Sequence, residues 1–169
     1  MPARAIVQRS RSTFLWAIFI AEGLEELSNH VNVAPPIVLT IAGFDPSAGA
    51  GIAADLKTIA AHNCYGVAAI TAMTVQSTQG VKSVHDTPAA ELRAQLDALL
   101  EDMRISAVKI GMLGHRGNAV VVGEFLDRAG VPNVVLDPVM KSTSGVTDLV
   151  DAGGIKYISE ELLKRATVV

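Results

Sequence analysis

The chain has one cysteine, Cys64, among its 169 residues. That excludes an internal disulfide and any thiolate-rich metal site, and it is compatible with a reducing compartment. Aromatic residues make up only 4% of the sequence, while Ala, Val, Ile and Leu dominate, as in helices packed on a buried parallel sheet. There is no excess of positive charge: 14 Lys and Arg stand against 17 Asp and Glu, a net charge of -3, so the chain carries no electrostatic footprint for nucleic acid. No apolar run approaches the roughly 20 residues needed to cross a bilayer. His30, His62, His85 and His115 are scattered without metal-ligand spacing. Neither a nucleophile elbow nor a Walker loop is present. What remains is a globular composition, 50% hydrophobic and 18% charged, long enough for one domain with a real core.

The first 35 residues read as an extension outside that domain, which is expected to occupy 36–169. Phe14–Ala21 is apolar, follows Arg4, Arg9 and Arg11, and no acid precedes Glu22. This is loosely transit-peptide-like. A signal-peptide core, an amphipathic extension and a start chosen too far upstream are the other readings. The cytoplasm is the expected location, or an organelle if the extension is a transit peptide.

Beyond Pro35-Pro36, strand and helix signals alternate. The run Ile37–Ala42 reads as a buried strand. A glycine-bearing loop, Gly43–Gly51, follows, and Ile52, Leu56, Ile59 and Ala60 then recur at helical spacing. Val67–Val75 reads as a second strand, with a short extended piece at Val81–His85 after Gly80. Thr87-Pro88 predicts a helix start, a hydroxyl cap with proline at the first helical position. Behind it, Leu92, Leu96, Leu99, Leu100 and Met103 form a stripe.

Ala107–Ile110 is a further strand. Asn118–Ala129 is a helix with Val121, Val122, Phe125 and Leu126 inward and Gly130 as its stop. Val134–Leu136 is a strand ending at Asp137-Pro138. Tyr157, Ile158, Leu162 and Leu163 mark a last helix, and Ala166–Val169 reads as a strand just begun. This order implies a mostly parallel sheet with helices on both faces. Ligands in such sheets bind outside the carboxyl ends of the strands.

Several residues at those ends invite a chemical reading, each beside a plainer one. Gly49-Ala50-Gly51-Ile52-Ala53-Ala54 fits a GxGxxA pattern. A dinucleotide turn, however, follows its strand directly and is answered about 20 residues later by an acid. Here the glycines come late and the second strand closes on Thr74-Val75-Gln76. Asp45, before a proline, is either at the mouth of a ligand loop or an Asx-type turn residue. Asp55 is near a ligand or merely stabilises the first helical turn, which spacing favours. Gln76 offers one acceptor and two donors, matching an aminopyrimidine edge, or simply faces water. Met112 is a pocket wall or core. Asp137 suits magnesium or phosphate chemistry, or is a turn residue before proline. Lys109, inside an apolar strand, pairs with an acid or snorkels outward.

Four blocks taken together are more specific. These are Thr40–Ile52 with Ala54–Thr58, Ile70–Thr78, Val108–Leu113, and Leu136–Met140 with Ser142–Gly145. In this order they resemble hydroxymethylpyrimidine/phosphomethylpyrimidine kinases, ribokinase-like enzymes, from about Pro36 to the end of the chain. The resemblance implies phosphate transfer from Mg-ATP to the hydroxymethyl group of the thiamin pyrimidine, and then to its monophosphate. It implies that Gln76 reads the aminopyrimidine edge and that Asp55 lies near the hydroxymethyl end. Gly43, Ala50, Thr74, Met112 and Val139 would shape the pocket, and Asp137 would lie toward phosphates and magnesium.

Departures from the family pattern are Phe44, where a small polar residue is usual, Ser77, where asparagine is common, and an irregular Val146–Ile155. By the same resemblance, the ATP site, the glycine-rich anion hole and the catalytic residue are expected beyond Val169. The chain by itself is then a truncated kinase domain without transition-state stabilisation. Its open sheet edge would favour self-association. The related pyridoxal/pyridoxamine kinase activity and a catalytically dead binding module are the rival readings.

Overall fold

The computed structural model describes residues 34–141 and 148–169. The candidate targeting stretch Phe14–Ala21 and the Ser142–Gly145 block lie outside the described residues. Five strands form one sheet in the order β3-β2-β1-β4-β5. They are β1 (Ile37–Phe44), β2 (Tyr65–Ser77), β3 (Gly80–Asp86), β4 (Ala107–Ile110) and β5 (Asn133–Leu136). All neighbours run parallel except β2 and β3. The strand order reverses between β1 and β4, so the switch point of the sheet opens between the loops that follow them.

Alternation along the strands sorts the core into two faces. Leu39 and Ile41 of β1, with Val67 and Ala69 of β2 and Val108 and Ile110 of β4, face the larger layer. That layer is built from α2 (Ala89–Asp102), α3 (Arg116–Ala129) and the last helix. It supplies Leu92, Leu96, Val122 and Phe125, each 0% exposed. On the other face Val38, Ala107 and Val135 meet Ile59 of α1 (Gly51–Ala61), with Cys64 and Val168 beside them. Helices therefore cover both faces, as the sequence implies. Gly130 takes the left-handed conformation after α3, at φ 58° and ψ 32°, the residue type that ends a helix this way.

Three local expectations need correction. Thr87 does not cap α2: Pro88 takes the N-cap position and no side chain caps the helix. The Thr87 backbone instead extends the sheet, its amide donating to Thr71 O at 2.8 Å. Second, β2 runs to Ser77 rather than stopping at Val75, and the extended piece after Gly80 is its antiparallel partner. The two strands form a hairpin projecting past the parallel core, and its antiparallel β3 departs from an all-parallel dinucleotide sheet. Third, the last helix changes pitch, from α4 (Ala152–Tyr157) to a π turn at Ile158–Leu162 and a 3-10 turn at Leu163–Arg165. The pitch change leaves Ile158 and Leu162 buried but turns Leu163 out to 39% exposure. The strand just begun at the C-terminus is real: Val168 bridges Val135 in parallel, and Leu136 N–H donates to Val168 O at 2.9 Å.

Candidate functional site

The loop after β1 is organised by its own acid. Asp45 is 4% exposed. Its carboxylate accepts from the Ser47 amide at 2.8 Å, the Ser47 hydroxyl at 2.7 Å, and the Gly49 and Ala50 amides at 3.2 and 3.1 Å. Lys57 of α1 donates to Ala48 O at 2.9 Å. The Asx-type reading of Asp45 is therefore the structural one, extended over the whole turn. The loop closes where Gly51 packs on β1. Its φ is +56°, and a Cβ there would lie 2.2 Å from Gly43 O, so only glycine fits.

A bulge between Ala42 and Gly43 shifts the register of β1, setting Gly43 beside Ala72 of β2. A Cβ on Gly43 would lie 3.2 Å from Met112 Sδ. Met112, Ala72 and Leu149 form a small buried cluster with Val84 and Val139 packed against it. Gly43, Met112 and Val139, drawn from three separated blocks, thus converge at the carboxyl ends of the strands. On the hairpin, alternation puts Ala72, Thr74 and Gln76 on one face, with Val84 opposite Thr74. Thr74 Oγ1 lies 2.9 Å from Phe44 O and 3.2 Å from Gln76 Oε1; one hydroxyl proton serves one acceptor at a time. Gln76 is half-buried. Ala50 is exposed at the loop rim with its amide held by Asp45.

The charged residues form a separate array. Asp55 is 0% exposed, so first-turn stabilisation in solvent is not its role. Its Oδ2 accepts from Thr40 Oγ1 at 2.6 Å and from Lys109 Nζ at 3.0 Å. Oδ1 is buried with no hydrogen-bond partner. Lys109 therefore pairs rather than snorkels. Its side chain is 5% exposed, and its Nζ lies 3.9 Å from Asp137 Oδ2. Asp137, with its side chain 27% exposed, is the member of the array open to solvent. Hence the structure brings Asp55 and Asp137 together through Lys109.

Sequence reasoning missed two contributors. Asn118 is fully buried at the start of α3, its amide nitrogen 3.1 to 3.3 Å from the carbonyls of Leu113, Thr87 and Thr71. The signal was a polar residue on the inward stripe of Val121, Val122 and Phe125. Val84 was hidden inside a piece too short to assign a face. Among the described residues no group of three or more His, Cys, Asp and Glu could hold a metal ion. His115 is a helix cap, its Nδ1 accepting from the Gly117 amide at 3.0 Å. Burial pushes the Cys64 thiol up, away from reactivity.

A family model described as phosphomethylpyrimidine kinase matches residues 45–169. The chain belongs to this family. The hydroxymethylpyrimidine/phosphomethylpyrimidine kinase of Rhizobium meliloti is 45% identical over 133 residues, covering 79% of this chain and 49% of the relative. The crystal structure of phosphomethylpyrimidine kinase from Clostridium difficile 630 superposes with a TM-score of 0.73 at 39% identity, covering 79% of this chain and 58% of that one. The pyridoxal kinase of Staphylococcus aureus in complex with AMP-PCP and pyridoxal gives a TM-score of 0.68 at 34% identity, covering 80% and 47%. The fold is thus that of these ribokinase-like kinases, and the chain spans about half the length of the curated relatives it matches.

Proposed function

We propose that this chain forms the pyrimidine-binding part of a kinase that phosphorylates hydroxymethylpyrimidine and its monophosphate with Mg-ATP, in thiamin diphosphate biosynthesis. The observation that carries the reading is the convergence of Gly43, Met112 and Val139 on one apolar cluster with Gln76 on the adjoining hairpin face. A flat aminopyrimidine needs an apolar wall and one group that both donates and accepts at its edge, and the Gln76 amide supplies both. Pyridoxal is the rival ligand, favoured by the likeness to a pyridoxal kinase. A binding module without turnover is the other.

Asp137 is the exposed carboxylate suited to a magnesium ion that arrives on a nucleotide, because Mg²⁺ is usually held by one or two carboxylates plus substrate phosphates. The lack of a multi-carboxylate group among the described residues fits that mode better than a metal held by protein alone. No described helix is long and apolar enough to cross a membrane, and the cytoplasm is the location we assign. An organelle is the alternative if residues 1–35 act as a transit peptide. Self-association would run through the outer side of the Thr167–Val168 segment, which itself pairs with β5.

Calorimetric titration tests the ligand. Wild type should bind hydroxymethylpyrimidine in preference to pyridoxal. Gln76→Leu should weaken the pyrimidine by roughly 1–3 kcal/mol, the cost of leaving a buried polar edge unpaired. Equal binding by Gln76→Leu, or a preference for pyridoxal, would reject the assignment.

A further inference from the structure

Lys109 is an expensive residue to hold inside a sheet. It stands on β4 at 4% exposure, where a leucine would cost nothing in desolvation and an ammonium must be paired. Asp55 supplies such a pairing at 3.0 Å. The position of the ammonium is the informative feature. A Cβ on Gly111 would lie 3.0 Å from Lys109 Nζ, so the side chain bends toward the carboxyl end of its strand. There it comes within 3.9 Å of Asp137, and Met112 of the apolar cluster is the next residue after Gly111. The ammonium therefore lies at the carboxyl end of the sheet, where the proposed ligand cleft would open, between the buried Asp55 and the partly exposed Asp137. Counting formal charges, Asp55 and Asp137 without Lys109 present -2 to that cleft, and with it -1. Two uncompensated carboxylates would repel a phosphate dianion at close range, and low dielectric strengthens the repulsion.

We propose that Lys109 is the positioning residue that lets this cleft accept a phosphorylated ligand. It neutralises Asp55 and draws the Asp137 carboxylate toward itself. The phosphomonoester of an aminopyrimidine is then tolerated where otherwise only the neutral alcohol would be. The inference rests on the pyrimidine reading above and adds a selectivity to it: Lys109 matters for the monophosphate far more than for the alcohol.

The test is calorimetric titration of the full chain, in metal-free buffer, with hydroxymethylpyrimidine and with phosphomethylpyrimidine. Lys109→Met should weaken the monophosphate by roughly tenfold more than the alcohol, a modest share of the Coulomb energy of one unit charge at such distances. The double variant Lys109→Met/Asp137→Asn should recover most of that loss, a rescue that a purely structural role does not produce. Circular dichroism checks folding. Should Lys109→Met fail to fold, Lys109→Met/Asp55→Asn removes the uncompensated buried acid and should show a smaller selective loss of the same sign. Equal losses for both ligands, or no recovery on neutralising Asp137, would overturn the proposal while leaving the pyrimidine reading intact. Binding of neither ligand by wild type would defeat both.

Discussion

Asp45 and Asp55 stand ten positions apart on either side of one loop, both nearly inaccessible to solvent, and the fold satisfies them in opposite ways. Asp45 takes its partners from its own turn: two amides and a hydroxyl within four residues, and the Ala50 amide one further on. Asp55 takes its partners from across the sheet, Thr40 on β1 and Lys109 on β4, and one of its oxygens finds none. The first arrangement is local and saturated, with uncharged donors only, so it fixes the shape of a loop. The second is long-range, charged and incomplete, so it ties three elements together at the price of a standing desolvation penalty. A carboxylate buried under such terms is poorly explained by stability alone.

Breaking the long-range arrangement should have the larger effect. Lys109→Met leaves Asp55 buried without its counter-ion, and the loss expected for breaking a buried pair from one side is about 3–5 kcal/mol. Urea denaturation measures it. A loss below about 1 kcal/mol would mean that Asp55 is not held as an ion by Lys109. The double variant Lys109→Met/Asp55→Leu should be closer to wild type than either single change, because apolar replacement of a buried pair is often neutral. Breaking the local arrangement should cost less. Asp45→Ala removes an acceptor of several bonds from a loop that stays partly open to water, so about 1.5–3 kcal/mol is expected. Its signature should be local, with amide exchange accelerated at Ser47, Gly49 and Ala50 before the core strands respond.

The same contrast decides what the sequence disclosed. The strand Ala107–Ile110, the helix stop at Gly130 and the strand beginning before Val169 were legible because each depends on its own residue types and spacing. Gly43, Met112 and Val139, which the resemblance assigns to a pocket, were named through family motifs, and the structure brings them together. The first-turn reading that spacing favours for Asp55 fails because burial overrides the local meaning of a position one turn into a helix. Its true partner, Lys109, lies 54 residues away, a separation that no periodicity reports. Thr87 failed as a cap for a related reason: its amide stays paired with Thr71 of β2, and the helix starts one residue later with Pro88 at the N-cap. The hairpin of β2 and β3 was read as two pieces because Ser77–Gly80 carries no strong two-residue turn signature.

An ion pair in water gives the comparison its third case and the smallest expected effect. Arg165, at the end of the last helix, donates from Nε and Nη2 to the two oxygens of Asp127 on α3, at 2.8 and 2.9 Å. Those hydrogen bonds hold the Asp127 carboxyl below its ordinary range. Glu161 is lowered too, first by Lys164 and then by Arg165. A depressed folded-state pKa contributes stability that is present above the unfolded value and lost as pH falls through the folded one. Both carboxylates should therefore stabilise the fold at neutral pH and cease to do so below about pH 4, where an unfolded carboxyl begins to take up its proton. Because both acids are exposed, solvent and salt screen the contribution. Melting temperature measured between pH 7 and pH 3 should fall less steeply in Arg165→Gln than in wild type, and the difference should shrink in high salt. If the two pH profiles run parallel, the fork between Arg165 and Asp127 contributes nothing to acid sensitivity.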